Sequence, residues 1–518
     1  MRFCELTGAD PILTVNVATG TPEEFLDWYE YVNGPTNTKY GALRAENGHE
    51  EPYNVRFWGI GNTDENVWHI DYNNPVVYAQ NYLKYQTVIR RERRKKLYFI
   101  GLGLSMRHGL PGWPGKALDH ITHNQREIAP DALSVHHYLG GAKQGGALCG
   151  GETNYTDEGY YALLDLLERY QYDIDLHRIT IKEHTLAGSK TKICFDEWGT
   201  WHPEATVEKN QNQKQTMRDA IFAALALHIF YKNSDIVEFA METQISNLLQ
   251  SLFETDGEKF FKTPTFYIMK LLKEHTNQYL TDVLPNDIDT DLDTVSTISE
   301  DGTKLTISIV NKNLYDEKAI DISLKENWKV AKANIVTCDH VRDYNTFEQP
   351  YNIKDDVFAV PENLSFSVPK HSVRGDLVHG DGVVLVVHDR EVFDMLKALN
   401  GHTRLHPTSA SVIPVGTALL GFVDCVGGIG IPFLNFGPCP CPREVGEAVL
   451  LLRMLVAVDG VQGREDRFLN IWHKSKGIRS CISLRSIFPS RCPPHRCRVH
   501  RSVRRCTGIV LRNRSQFV

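Results

Sequence analysis

The chain has 518 residues, which is longer than one ordinary domain core, so two or three domains are expected. Its net charge of −7 argues against nucleic acid as a general partner. The N-terminal residues lack the uninterrupted apolar core of a signal peptide, and no stretch reads as a clean transmembrane helix. We therefore expect a cytoplasmic protein that does not bind a membrane.

The composition changes near Arg374. Residues 1–373 hold 37 basic and 53 acidic residues, whereas the residues from Arg374 onward hold 20 basic residues, of which three are lysine, and 11 acidic ones. Seven of the 11 cysteines also lie in this last part, so the first 373 residues do not depend on disulfides. We interpret residues 374–518 as an Arg- and Cys-rich tail of doubtful structure. Its cysteines and histidines fit no standard zinc spacing, so no metal site is expected; they are Cys492, His495, Cys497, His500 and Cys506.

From the first residue to about residue 275, short apolar strands alternate with longer helical segments. The first strand lies in "PILTVNVATG" and is followed by a helix at which Thr21 and Glu24 form a capping box and Pro22 takes the first helical position. A second helix opens at Asn74-Pro75. Six strands are predicted in all, in "PILTVNVATG", "VRFWGIG", "LYFIGLG", "ALSVHHYLG", "KICFDEWGTW" and "IVEFAMETQ". Repeated βα units predict a parallel sheet, either open or closed into a barrel.

From about Tyr279 the hydrophobic period changes to two. The segment "TVSTISEDGTKLTISIVNKN" reads as a hairpin around Asp301-Gly302, and more short strands follow up to "ENLSFSVPKHSV". This pattern predicts a small antiparallel β-sandwich that closes near Val373.

Four of the predicted parallel strands end in residues that can do chemistry. They are Asn62 to Glu65; His136, His137 and Tyr138; Asp196-Glu197-Trp198 with Trp201 and His202; and Glu242, Thr243 and Gln244. In a barrel, catalytic groups gather at the carboxyl ends of the strands. Two carboxylates with amides and aromatic rings on one rim are typical of a sugar site, because the carboxylates carry acid–base and nucleophilic chemistry while amides bind hydroxyls.

These motifs resemble the α-L-arabinofuranosidases of glycoside hydrolase family 51. The match rests on "KICFDEWGTWH", "GIGN", "SVHHYLG", "FAMETQISNLLQ", "YNTFEQP" and "LSFSVPKHSV", in the same order and at similar spacing, over about residues 1–373. The resemblance implies an α/β fold with a (β/α)8-type TIM barrel over residues 1–275 and a small antiparallel β-sandwich over residues 276–373. It also implies retaining hydrolysis of terminal α-L-arabinofuranosyl groups of oligo- or polysaccharides, without a cofactor. The oligomeric state stays open, although the family often forms homo-oligomers.

Carried over position by position, the resemblance assigns Glu197 as the nucleophile and Tyr138 as the phenol that orients it. Asn62, His136, Trp201 and Gln244 are expected to bind the sugar, with Asn62 at the 2-hydroxyl and Trp201 as a wall of the pocket.

The chain departs from the family at two places before the tail. It begins at what resembles the third barrel strand, so a barrel lacking its first two strands is expected. The family reads Gly-Asn-Glu at the end of the strand that carries "GIGN", and that Glu is the general acid/base, whereas this chain has Thr63 there. A hydroxyl near its ordinary pKa does not protonate a leaving oxygen well at neutral pH. Glu65 lies two residues on and is the candidate acid/base, because side chains two apart on an extended segment share a side.

Three other interpretations remain open on the sequence. In the first, the chain is a sugar-binding protein that has lost turnover. In the second it is a defective fragment, and in the third it is another retaining barrel glycosidase acting on β-glucans or xylans. The pair Glu197 and Tyr138 does not separate these classes, since such barrels share it.

Overall fold

The computed structural model describes residues 1–63, 74–89, 96–105, 112–124, 129–140, 146–186, 189–283, 289–322, 328–361 and 364–379. Glu65 and the tail from residue 380 onward, with all seven of the tail's cysteines, lie outside these ranges.

The fold is mixed α/β. Six strands form one parallel sheet, as predicted, and they lie in the sheet in the order in which they occur in the chain. They are β1 (Ile12–Val15), β2 (Phe57–Ile60), β3 (Tyr98–Ser105), β4 (Ala132–Leu139), β5 (Lys192–Thr200) and β6 (Val237–Glu242). The helices around and after them are α1 (Arg2–Thr7), α2 (Pro22–Asn33), α3 (Lys39–Glu46), α4 (Pro75–Val88), α5 (Trp113–Asn124), α6 (Gly146–Cys149), α7 (Asp157–Asp165), α8 (Glu168–His184), α9 (Met217–Lys232) and α10 (Pro264–Leu272).

The parallel sheet is curled. The ring of Phe239 on β6 lies 5.3 Å from Phe57 on β2 and 5.8 Å from Tyr98 on β3, measured between ring centroids, although β6 pairs only with β5. Strands far apart in the sheet order therefore meet through the side chains of its concave face. The order, the parallel register and this curvature give a half-barrel whose strands all end at one rim.

The first helices begin where the sequence predicts. The Thr21 hydroxyl accepts a hydrogen bond from the Glu24 amide, and the Glu24 carboxylate accepts one from the Thr21 amide, so the capping box precedes Pro22 as expected. The Asn74 side chain caps α4 by accepting hydrogen bonds from the amides of Val76 and Val77. The segment "YYALLDLLERYQ" contains the end of α7 at Asp165 and the start of α8 at Glu168.

The C-terminal part is antiparallel, as the change of period predicts. Its six-stranded sheet has the order β14-β13-β16-β11-β10-β9, and a two-stranded sheet pairs β12 with β15. These strands are β9 (Tyr279–Thr281), β10 (Leu292–Ile298), β11 (Lys304–Asn311), β12 (Lys318–Asp321), β13 (Lys329–Thr337), β14 (Lys354–Val357), β15 (Ser365–Val368) and β16 (Ser372–His379). A short hairpin, β7 (Phe253–Asp256) with β8 (Lys259–Lys262), lies before them.

The two parts share one hydrophobic core. Buried residues of α9 and α10 belong to the same cluster as Val310, Val336 and Val373 of the antiparallel sheet. His228 of α9 adds a polar link, since Nδ1 contacts Asp293 and Nε2 lies 2.7 Å from Ser308 Oγ. These contacts fix the antiparallel part against the helices that support β5 and β6.

Candidate active site

The candidate site is built on β4 and β5, which are neighbours in the parallel sheet. On β4, Leu133, Val135 and Leu139 belong to the core between the sheet and the helices. The alternation of a strand puts Ser134, His136 and Tyr138 on the opposite, concave face. The strand therefore presents three polar side chains in a row toward the inside of the half-barrel.

Strand β5 contains a bulge where its carboxylates lie. Ser134 pairs with Cys194 and His136 pairs with Glu197, so β5 has one more residue than β4 between these two pairs. The pairing with β6 shows the same extra residue, from Phe195 to Trp198. A bulge interrupts the strict alternation of side chains. As a result the consecutive residues Asp196 and Glu197 both contact His136.

Glu197 is held by one of its two carboxylate oxygens. The Tyr138 hydroxyl donates a hydrogen bond of 3.1 Å to Oε2, and His136 Nδ1 lies 3.4 Å from the same atom. Oε1 has no hydrogen-bond partner among the described residues, and the side chain is 30% exposed. A carboxylate held at one oxygen and open at the other is arranged to act as a nucleophile.

His136 lies between two acids. Its Nε2 is 3.0 Å from Ser134 Oγ and 3.3 Å from Asp196 Oδ1. Ser134 Oγ also donates a hydrogen bond of 2.8 Å to Asp196 Oδ1. Since the side chain of His136 is only 5% exposed, it contacts the nucleophile from within the protein. The expectation that it binds sugar is untested by these contacts, which are all with protein groups.

Tyr138 is kept protonated by its surroundings. Burial raises the pKa of its phenol, the charge of Glu197 raises it further, and a hydrogen bond with Thr243 opposes both. The raised pKa favours the protonated phenol, which can donate a hydrogen bond to Glu197. Its ring meets the ring of Trp201 edge-on, with centroids 5.6 Å apart. Trp201 is fixed in turn by a 3.0 Å hydrogen bond from Nε1 to the Ala205 carbonyl.

The other predicted site residues lie at the ends of β2 and β6. Asn62 and Gln244 are both exposed, and within the described ranges neither shares a hydrogen bond with Glu197. Thr63 follows Asn62 and has a φ of 52°, in the left-handed region. Glu65 lies outside the described residues, so its position relative to Glu197 stays a prediction.

Sequence reasoning missed Ser134 and did not foresee the placement of Asp196. The signal for Ser134 was present, because it lies two residues before His136 on one strand and so shares its face. Nothing in the sequence indicated the bulge that turns Asp196 the same way as Glu197. Of the other residues at the predicted strand ends, His202 pairs with Asp219 in the core at 2.7 Å, and Glu242 has both carboxyl oxygens buried, with its charge raising the pKa of Tyr138.

Among the described residues, no group of three or more His, Cys, Asp or Glu is arranged to hold a metal ion. In the same part of the chain, no helix has the length and apolar character that crossing a membrane requires.

Comparisons with known proteins show which proteins this chain resembles. The family model described as α-L-arabinofuranosidase 1 domain matches residues 1–139, and the model described as α-L-arabinofuranosidase C-terminal domain matches residues 196–372. An intracellular exo-α-L-arabinofuranosidase of Bacteroides ovatus is 29% identical over 369 residues, which are 68% of this chain and 69% of the relative. A probable α-L-arabinofuranosidase C of Aspergillus niger is 27% identical over 404 residues, covering 72% of this chain and 75% of the relative.

Solved structures share the fold. The α-L-arabinofuranosidase of Thermotoga maritima in complex with arabinose superposes with a TM-score of 0.58 at 26% identity, covering 73% of this chain and 77% of that one. The family 51 arabinofuranosidase of Xanthomonas axonopodis pv. citri superposes with a TM-score of 0.61 at 23% identity, over the same shares.

Proposed function

We propose that this chain, a relative of the α-L-arabinofuranosidases of glycoside hydrolase family 51, is a retaining glycoside hydrolase that releases terminal α-L-arabinofuranosyl groups. Its substrates are arabinose-containing oligo- or polysaccharides. The relatives named above and the two family models support the substrate class. The observation that carries the reaction type is Glu197, a carboxylate at the end of a parallel strand with Oε2 held by Tyr138 and Oε1 open.

The proposal includes the architecture of the family. The curled six-stranded sheet represents a (β/α)8-type barrel without its first two strands, over residues 1–275, and residues 276–373 form the β-sandwich. The enzyme is cytoplasmic and needs no cofactor, because retaining hydrolysis uses two carboxyl groups and water.

In the first step, Oε1 of Glu197 attacks the anomeric carbon and the bond to the leaving oxygen breaks. The Tyr138 hydroxyl stays on Oε2, so the carboxylate attacks in one orientation. The leaving oxygen takes a proton from a general acid, for which we propose Glu65. In the second step, water attacks the anomeric carbon, Glu65 accepts a proton of that water, and Glu197 leaves as a carboxylate. Asn62, Trp201 and Gln244 surround the sugar in this scheme.

The test is hydrolysis of 4-nitrophenyl α-L-arabinofuranoside by the purified chain, with and without added azide. The aglycone leaves without a proton, so release reports on Glu197 alone in the first step. We expect brisk release that azide does not change, and we expect Glu197→Gln to abolish it. Equal activity in Glu197→Gln would reject Glu197 as the nucleophile and with it the proposed mechanism. A substrate series with the matching xyloside and β-glucoside tests the sugar specificity.

A second function is favoured by one observation, the threonine at the position of the family's acid/base. A chain without an acid/base binds the sugar and forms the covalent intermediate but does not turn it over well. That protein releases 4-nitrophenol slowly without azide and rapidly with it, because azide attacks the intermediate without help from a base. The same experiment therefore separates the complete enzyme from one without an acid/base, and no release with or without azide from the folded chain would indicate a protein that only binds sugar.

A further inference from the structure

Asp196 contacts His136, and His136 in turn contacts the nucleophile Glu197. Its Oδ1 accepts the Ser134 hydroxyl at 2.8 Å and lies 3.3 Å from His136 Nε2. On the other edge of the imidazole ring, Nδ1 lies 3.4 Å from Glu197 Oε2. The bulge in β5 is what brings the two neighbouring carboxylates to opposite edges of one ring.

The hydrogen-bond directions follow from the number of protons. Ser134 has one hydroxyl proton and gives it to Asp196, since an ionised carboxylate only accepts. Ser134 Oγ can then only accept from His136, so Nε2 carries a proton. A proton on Nδ1 as well makes the ring a cation between two carboxylates, and opposite charges at this distance favour that form.

We infer that Asp196 and Ser134 are positioning residues for catalysis, which hold His136 as an imidazolium against Oε2 of Glu197. This inference rests on the proposed function and deepens it. With the Tyr138 hydroxyl hydrogen-bonded to Oε2 and the positive ring of His136 3.4 Å from the same atom, Oε1 is favoured as the attacking atom. The same cation stabilises the Glu197 carboxylate when it leaves in the second step. No atom of Asp196 needs to contact the substrate.

The strand also supplies a matched control. His137, the next residue on β4, points to the other face and pairs through Nδ1 with Asp173 at 2.6 Å, with both side chains buried. Asp196→Asn and Asp173→Asn each remove one carboxylate from a β4 histidine, but only His136 contacts Glu197. A loss that comes from general damage to the strand affects both variants.

The experiment measures labelling of the protein by 2,4-dinitrophenyl 2-deoxy-2-fluoro-α-L-arabinofuranoside, followed by intact mass. In this reaction Glu197 Oε1 forms a bond to the anomeric carbon, and the dinitrophenolate leaves with the electron pair and needs no proton. The fluorine slows the second step, so the covalent ester accumulates. Saturation curves separate the maximal labelling rate from the concentration at half-saturation.

We expect Asp196→Asn to lower the maximal labelling rate by about 10- to 100-fold, the size expected for a misplaced reacting group, with half-saturation unchanged. Ser134→Ala, which keeps both carboxylates, lowers it in the same direction by less and carries the test should Asp196→Asn fail to fold. Asp173→Asn leaves the maximal rate unchanged. Labelling of Asp196→Asn and Ser134→Ala at the wild-type rate overturns the inference and leaves the proposed function standing. Absence of labelling in the folded wild-type chain rejects the proposed function, and the inference falls with it.

Discussion

Tyr138 and Glu197 face each other from neighbouring parallel strands, and the phenol donates a 3.1 Å hydrogen bond to the carboxylate. The partner is charged and both groups are partly shielded from water, which makes this one of the stronger kinds of hydrogen bond. Burial raises the pKa of the phenol, which favours the protonated form that donates this bond.

Tyr138→Phe should lower kcat on 4-nitrophenyl α-L-arabinofuranoside by about 10- to 100-fold, because a hydrogen bond to a charged group contributes about 1.5–3 kcal/mol. KM should change little, since the ring and its edge-on contact with Trp201 remain. Steady-state kinetics measure both constants. Tyr160→Phe is the control, because it removes a buried hydroxyl bonded to the Lys312 carbonyl at 2.9 Å, away from Glu197. An equal loss of kcat in the two variants would contradict a specific role for Tyr138.

The sequence predicted the six parallel strands and the residues at their ends, because both follow from local patterns. Alternating or continuous apolar runs marked all six parallel strands, and the family motifs pointed to Tyr138 and Glu197. The network around His136 was not predictable in this way. Strict alternation puts Asp196 and Glu197 on opposite faces of β5, and only the pairing of β5 with both neighbouring strands creates the bulge that brings them together. Such a register depends on contacts between distant parts of the chain.

Glu242 is a second residue whose side-chain position the local sequence pattern did not predict. It stands at the end of a predicted strand among polar residues, so the sequence suggested a site residue. The structure buries both carboxyl oxygens without a hydrogen-bond partner in the described part of the chain. Oε1 of Glu242 lies beside Gly199, at 3.9 Å from the position that a β-carbon would take if this glycine had a side chain. The orientation of one side chain at a strand end is decided by packing, which a local pattern does not contain.

Glu242 should therefore make the protein less stable as the pH rises. Burial raises the pKa of its carboxyl group well above the ordinary value of 4.5, so the folded state holds the proton more tightly than the unfolded state. Its contribution to stability is complete below about pH 4.5 and is lost as the pH rises toward the pKa of the folded state. Relative to wild type, Glu242→Gln should gain up to about 1.4 kcal/mol in unfolding free energy per pH unit over this window.

Urea unfolding of the two proteins at several pH values between 4 and 8 measures this difference. Glu238→Gln is the control, because Glu238 lies on the same strand but is exposed. Parallel stability curves for wild type and Glu242→Gln would show that the carboxyl group is not buried without a partner.

Asp219 should behave in the opposite way. Burial alone would raise its pKa, but the charge and hydrogen bond of His202, together with Arg218, outweigh burial and lower the pKa to about 2. The stability that ionised Asp219 contributes is present above its ordinary value of 3.8 and is lost as the pH falls toward 2. Asp219→Asn should cost about 3–5 kcal/mol at neutral pH, since it leaves a fully buried partner unpaired.

Chemical denaturation at pH 7 measures this cost. The matched control is Asp235→Asn, which breaks the pair with Arg178 at a site where the aspartate is 58% exposed. Exposed pairs contribute about 1 kcal/mol or less, so the control should lose far less. Similar losses in the two variants would mean that the buried contact of Asp219 with His202 stabilises the fold no more than the exposed Arg178–Asp235 pair.

The last prediction concerns the proton donor. Glu65→Gln should lower hydrolysis of unactivated arabino-oligosaccharides by about 100- to 10,000-fold, the usual contribution of a general acid or base. It should slow 4-nitrophenyl α-L-arabinofuranoside less, and azide should restore that release, because this aglycone leaves without a proton. Chromatography of the released arabinose and the absorbance of 4-nitrophenol measure the two reactions.

Thr63→Glu tests the same assignment by placing a glutamate where the family has its acid/base. The backbone of Thr63 has a φ of 52°, which a β-branched residue adopts at a cost, so an unbranched glutamate should not destabilise the protein there. In the Glu65→Gln background, Thr63→Glu should recover hydrolysis of the oligosaccharides, because it returns a carboxyl group to the end of the strand that leads to Asn62. Full activity of Glu65→Gln on these substrates, without azide, would remove Glu65 from the mechanism. The proton would then come from another group. Oligosaccharide hydrolysis by Thr63→Glu alone would show whether the wild-type chain already has an acid at this rim: a gain in activity would mean that it has none, and an unchanged activity that it has one.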